Sequence, residues 1–119
     1  MNTDKQSNEI ALLIKAFGYS LHGLRFGMRQ RAFRLELIVG CFAIPAAIAF
    51  GENGVERALL IGSIFLVMIV ELLNSAVEAA IDRISAEQHT LSGMAKDMAS
   101  AAVLLSIINA TIIWLAVLW

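Results

Sequence analysis

The chain reads as three long apolar runs separated by short polar breaks, preceded by a segment in which apolar positions recur at helical spacing. Residues 35–50 form the first run, sixteen residues interrupted by Glu36 near the start and by Pro45. That falls just short of the ~17–25 residues that cross a bilayer, so a helix over 32–50, kinked at Pro45, is expected. Gly51-Glu52-Asn53-Gly54 predicts a tight turn. A second helix is expected over 56–84, longer than a bilayer needs, which leaves its Asp82-Arg83 end in water. Residues 85–93 predict a polar loop with Glu87, Gln88 and His89, and the 22 uncharged residues 98–119 predict a third span within 96–119. Upstream, Leu13, Phe17, Leu21 and Leu24 recur at helical spacing with Lys15, His22 and Arg25 elsewhere. This predicts an amphipathic surface helix over about 10–28, or alternatively a helix packed on the protein's own spans, after a polar tail over 1–9. The fold class is therefore an all-α membrane protein of one unit, 1–119.

The second run carries polar groups where lipid-facing residues would be expected. Taking 100° per residue, Glu71, Asn74, Glu78 and Asp82 fall within an arc of roughly 80° and climb about 16 Å along the axis. A carboxylate near the bilayer centre costs at least ~2.5 kcal/mol on insertion scales, so intramembrane acids mark functional sites by default. The stripe is expected to run from the bilayer interior towards one surface.

Composition agrees with the pattern. Of 119 residues, 59% are hydrophobic and 16% charged, against about 25% charged in soluble domains. A net charge of −1 argues against a nucleic-acid partner, whose phosphates demand a basic surface. The lone Cys41 has no partner for an intrachain disulfide, and the polar, acid-containing first residues do not resemble a cleavable signal peptide. Charge placement gives orientation. Lys5, Lys15, Arg25, Arg29, Arg31 and Arg34 precede the first span, while the turn after it has Arg57 alone. The N-terminus is thus expected in the cytoplasm, with Arg83, His89 and Lys96 on the same side and the C-terminus outside, where Trp114 and Trp119 fit an aromatic belt. The arginine cluster itself fits a phospholipid-facing basic patch or a direct role with phosphate groups.

Carboxylates and amides are hard oxygen ligands suited to Mg²⁺ on nucleotide phosphates, and a further carboxylate can take a proton from an attacking hydroxyl. Lys96-Asp97, fourteen residues after Asp82, returns a cation and another acid to that membrane face. Neither a P-loop nor a protein-kinase motif occurs in the chain. On spacing alone the stripe fits phosphoryl transfer, a proton or cation relay, or polar glue in an assembly.

The segment Glu71-Leu72-Leu73-Asn74-Ser75-Ala76-Val77-Glu78-Ala79-Ala80-Ile81-Asp82 resembles the signature of the bacterial integral-membrane diacylglycerol kinases. The resemblance continues, in order, through Lys15-Ala16-Phe17-Gly18-Tyr19-Ser20, Gly23-Leu24-Arg25, Ala32-Phe33-Arg34-Leu35-Glu36 and the stretch from Leu91-Ser92-Gly93 through Lys96-Asp97 to Ser100-Ala101-Ala102-Val103. It implies an inner-membrane homotrimer with shared active sites, using ATP and Mg²⁺ to convert diacylglycerol into phosphatidic acid. By position, it makes Glu71 the general base and Glu78 the metal holder, with Asn74, Asp82, Lys96 and Asp97 completing the site. Tyr19, Ser20 and Glu87-Gln88-His89 correspond to nucleotide contacts, and Arg25, Arg34, Glu36 and Ser100 to lipid-side or supporting positions. Undecaprenol kinases of the same superfamily would share the stripe and the Lys96-Asp97 pair.

The chain departs from the family pattern at three points. Gln30 stands where a second metal-binding glutamate is usual, reached by a one-residue shortening after Arg25; an amide can ligate but brings no charge, so weaker metal binding is expected. Leu12 and Met94 replace basic positions.

Overall fold

The computed structural model describes residues 2–84 and 89–119. Four helices follow one another, α1 (Asn2–Gly27), α2 (Arg31–Phe50), α3 (Gly54–Ile84) and α4 (Thr90–Leu118), and no strand occurs among the described residues. The last three are long and apolar enough to cross a membrane. Large apolar side chains stand exposed along their outer faces, Phe42, Leu73 and Leu105 among them, as lipid-facing surfaces require.

Two expectations change. Residues 2–9, expected as a polar tail, continue α1 as helix, with Asp4 in the first turn and Lys5 and Glu9 at the i,i+4 spacing that supports an exposed helix. The fourth helix begins at Thr90 because the His89 ring caps it, Nδ1 accepting from Leu91 N at 3.1 Å, so 90–93 are helix and not loop. Glu87 and Gln88 lie outside the described residues. Pro45 sits inside α2, which runs on to Phe50; the missing N–H leaves the Cys41 carbonyl without its intrahelical donor.

The α2–α3 turn is held by reciprocal bonds. Asn53 Oδ1 accepts from Glu56 N at 2.9 Å, while Glu56 Oε2 accepts from Glu52 N at 2.8 Å, so side chains satisfy backbone donors at the start of α3. Arg57 reaches back, Nε donating to Ile48 O at 3.2 Å, and so occupies one of the free carbonyls ending α2. Gly51 makes room for it: a Cβ there would sit 2.6 Å from Arg57 Cγ and 2.8 Å from Ala47 O.

The core runs between α2, α3 and α4. It is built from Phe33, Ala47, Leu60 and Val67, with Ser63 and Ser106 buried among them. Both serine hydroxyls are satisfied locally, Ser63 Oγ donating to Leu60 O at 2.8 Å and Ser106 Oγ to Val103 O at 2.7 Å. Ser63 Oγ also accepts from Trp114 Nε1 at 3.1 Å across the α3–α4 interface. The Trp114 indole lies half-buried and ties two spans together. The tie forms because an indole N–H turned into the helix packing needs an acceptor. α1 has a single buried residue, Gly27, where the chain meets α3 at Leu72.

Candidate active site

One face of α3 carries both the core and the polar stripe. Its buried residues are Leu60, Ser63, Val67 and Glu71. Continuing at steps of three and four, the same face passes through Asn74, Glu78 and Asp82, and all seven fall within an arc of about 100°. The packing seam of the helix thus turns from apolar to polar without changing face.

The change comes level with Arg31, where α2 begins. α3 has 31 residues and α2 has 20, and a short turn joins them at one end, so α3 outruns its neighbour by about 16 Å at the other. Exposure follows: Glu71 is 6% exposed, Asn74 is half-buried, and Glu78 and Asp82 are open.

The fourth helix supplies the cation. Lys96 Nζ lies 2.7 Å from Asp82 Oδ1, in a pair whose side chains are 42% and 68% exposed. With Ser63–Trp114 it is one of two side-chain hydrogen bonds between the antiparallel α3 and α4 among the described residues, separated by about 28 Å of helix. Asn74 Nδ2 stands 3.5 Å from Glu78 Oε1, at the limit of a hydrogen bond. Among the described residues, Asn74 Oδ1 and Glu36 Oε2 are enclosed without a hydrogen-bond donor. The Glu36 side chain lies at a groove of about 260 Å³ shared with Val39, Ile64, Val67, Ile107 and Thr111.

A second hollow, of about 760 Å³, opens between the C-terminal part of α1 and α3. Its α1 side is Ser20, Gly23, Leu24 and Gly27; its α3 side is Leu72, Ser75, Ala76 and Ala79; Arg29 and Gln30 stand on its edge. The α3 side is centred about 100° round the helix from Glu78. Gln30, expected beside Glu78 as a metal ligand, therefore meets a different face of α3 within one chain. Ser20 lines this hollow and donates to Ala16 O at 3.1 Å, whereas Tyr19 is 71% exposed. Arg25 and Arg34 are exposed, and so are Asp97 and Ser100; Asp97 lies on the side of α4 turned from α3, whereas Ser100 lies on its flank, about 40° round the helix from Lys96.

A single chain thus brings together Glu71, Asn74, Glu78, Asp82 and Lys96, and leaves Tyr19, Arg25, Gln30, Arg34, Asp97 and Ser100 apart from them. No group of three His, Cys, Asp or Glu side chains able to hold a metal is preformed among the described residues. The donors present still fit a Mg²⁺ ion carried on phosphates, which takes one or two protein carboxylates and fills its remaining positions with phosphate and water. Glu78 offers an open carboxylate, with the Asn74 amide beside it through Nδ2. Sequence reading missed Ser63, whose place at the four-residue spacing before Val67 and Glu71 marks the seam, and it missed the partner that Trp114 finds.

Comparison with known proteins agrees with this geometry. The family model described as prokaryotic diacylglycerol kinase matches residues 18–118. The chain is 52% identical over 108 residues to the diacylglycerol kinase of Escherichia coli K12, covering 90% of this chain and 88% of that protein. It is 44% identical over 108 residues to the diacylglycerol kinase of Haemophilus influenzae, covering 90% and 92%. It is 43% identical over 107 residues to that of Pseudomonas aeruginosa, covering 89% and 87%. The polar seam lies inside the matched region, and the chain belongs to the prokaryotic diacylglycerol kinase family and is a lipid kinase.

Proposed function

We propose that the protein transfers the γ-phosphoryl group of ATP to the free hydroxyl of diacylglycerol, giving phosphatidic acid at the cytoplasmic surface of a bacterial inner membrane. The observation that carries this reading is the α3 seam, which becomes acidic level with the start of α2 and meets Lys96 at its open end. Phosphoryl transfer asks a protein chiefly for positioning and charge neutralisation, and a 16 Å ladder of oxygen ligands with a cation at one end suits both.

Glu71, the buried member of the ladder, takes the proton of the lipid hydroxyl as that oxygen bonds to the γ-phosphorus; the bond to the bridging oxygen breaks and ADP leaves. Mg²⁺ on the phosphates supplies charge neutralisation when bound, and Glu78 is the carboxylate that would hold it. Asn74 orients Glu78, while Asp82 holds Lys96 towards the phosphates. Asp97, Tyr19, Ser20 and His89 are proposed as further nucleotide contacts, and Arg25, Arg34, Glu36 and Ser100 as lipid-side positions. Gln30 contributes an uncharged ligand at most.

Two further elements belong to the proposal. Asp97 turns from α3 on its own helix, which supports a site completed by a neighbouring copy in a homotrimer. The Gly27–Leu72 contact puts the end of α1 level with Glu71; with α1 on the cytoplasmic surface, Glu71 sits at the interface and not deep in hydrocarbon. The N-terminus is then cytoplasmic and the C-terminus periplasmic.

The test is label transfer from ATP by the purified protein, given diacylglycerol and undecaprenol side by side. Label in phosphatidic acid is expected; label confined to undecaprenyl phosphate, or to neither lipid, would reject the assignment.

A further inference from the structure

The thirteen residues 23–35 contain Arg25, Arg29, Arg31 and Arg34 and no acid. They join α1 to α2, all four arginines are exposed, and the one ion pair among the described residues is Lys96–Asp82. Glu36, the next acid along, lies against α3 and α4 in the groove with Ile64, Val67 and Ile107, and so is directed into the bundle. The Arg29 guanidinium lies 5.1 Å over the Phe26 ring, which holds it at the turn.

The placement of these charges relative to the apolar faces is specific. On α2, Phe33, Gly40 and Ala47 are buried, and Leu35, Ile38 and Phe42 are exposed on the opposite side. Arg31 and Arg34 share that exposed side, within an arc of about 100°, and stand at its cytoplasmic end. On α1, Ile10, Leu13, Ile14, Phe17, Leu21 and Leu24 form an exposed stripe of about 100°, with Arg25 at its edge. Two unpartnered apolar faces, one along a span and one along α1, therefore meet at an unpaired cluster of arginines. Apolar contact with acyl chains below and guanidinium contact with phosphates above is the chemistry of an anionic leaflet surface.

We propose that the α1–α2 turn binds anionic phospholipid headgroups and thereby fixes α1 on the cytoplasmic leaflet. This goes beyond the kinase reading and stands without it, since Arg29 and Arg31 have no part in the proposed catalysis.

The experiment is amide hydrogen exchange on the full-length protein in nanodiscs of phosphatidylcholine or phosphatidylglycerol, for the native chain and for Arg29→Gln/Arg31→Gln. Phosphatidylglycerol is expected to raise protection across 10–27 in the native chain. At ~1 kcal/mol per basic residue near the surface, removing two arginines lowers that gain about 30-fold. Amides of α3 and α4 should not change, which separates a lost headgroup contact from misfolding. If the double variant does not enter nanodiscs, raised salt on the native chain in phosphatidylglycerol should remove the gain instead. Equal protection in the two lipids, an unchanged gain in the variant, or the same gain from inorganic phosphate in phosphatidylcholine discs would overturn the proposal.

Discussion

Removing one side of the Ser63–Trp114 bond tests whether α3 and α4 are held in register from the end far from the site. Ser63 is 3% exposed, and its hydroxyl accepts from the Trp114 indole at 3.1 Å while donating to Leu60 O at 2.8 Å. Ser63→Ala leaves the indole N–H without an acceptor inside the helix pair. Trp114→Phe leaves the serine with its backbone acceptor and takes away ring contact instead. Interhelical side-chain hydrogen bonds in membranes average ~0.6 kcal/mol and reach ~1.7 in double-mutant cycles, because the unfolded chain in lipid also finds partners. This bond is part-buried between two spans, so a coupling of about 1 kcal/mol is expected between the two substitutions. The assay is reversible unfolding in mixed micelles of the native chain, both single variants and the double variant. A coupling indistinguishable from zero would show that the two side chains meet without stabilising the register. Kinase activity of Ser63→Ala should fall less than about tenfold, since Ser63 lies about 28 Å of helix from Asp82.

Gly51→Ala should lower stability by ~1–3 kcal/mol in the same unfolding assay, as overpacking does, because the new Cβ meets Arg57 Cγ at 2.6 Å and the Ala47 carbonyl at 2.8 Å; an unchanged midpoint would show that Arg57 is not held there. Asp82→Asn, on an exposed pair, should leave the unfolding midpoint in place while kcat/KM for ATP falls about tenfold or more, and a parallel loss of both would assign the pair to structure. Gln30→Glu should support activity at lower Mg²⁺ than the native chain needs; no gain would mean that position 30 does not reach the metal.

Legibility in the sequence differed from element to element, for physical reasons. Span and turn positions could be read because an apolar run ended by Gly51-Glu52-Asn53-Gly54 has few other solutions in lipid. The start of α4 could not, since it depends on a histidine ring acting as a cap, and His89 in a polar segment looks like any solvated residue. The acid stripe was legible from its 100° arithmetic, but its continuity with the core was not: Leu60, Ser63 and Val67 become one seam with Glu71 only once α2 and α4 are seen packed against them. Asp82–Lys96 spans fourteen residues across the α3–α4 connection, so its geometry came from the fold, and so did the place of Gln30, which motif order pairs with Glu78 and which within one chain lines a hollow with Ser75 and Ala79.

The central claim is that Glu71 is the base. Phosphoryl transfer from ATP to diacylglycerol should be followed in purified native protein and in Glu71→Gln, with unfolding midpoints recorded for both. The expected result is a fall in kcat of about 100-fold or more, the range a positioned general base supplies, with KM for ATP and the midpoint little changed. Transfer by Glu71→Gln at the native rate would contradict the account.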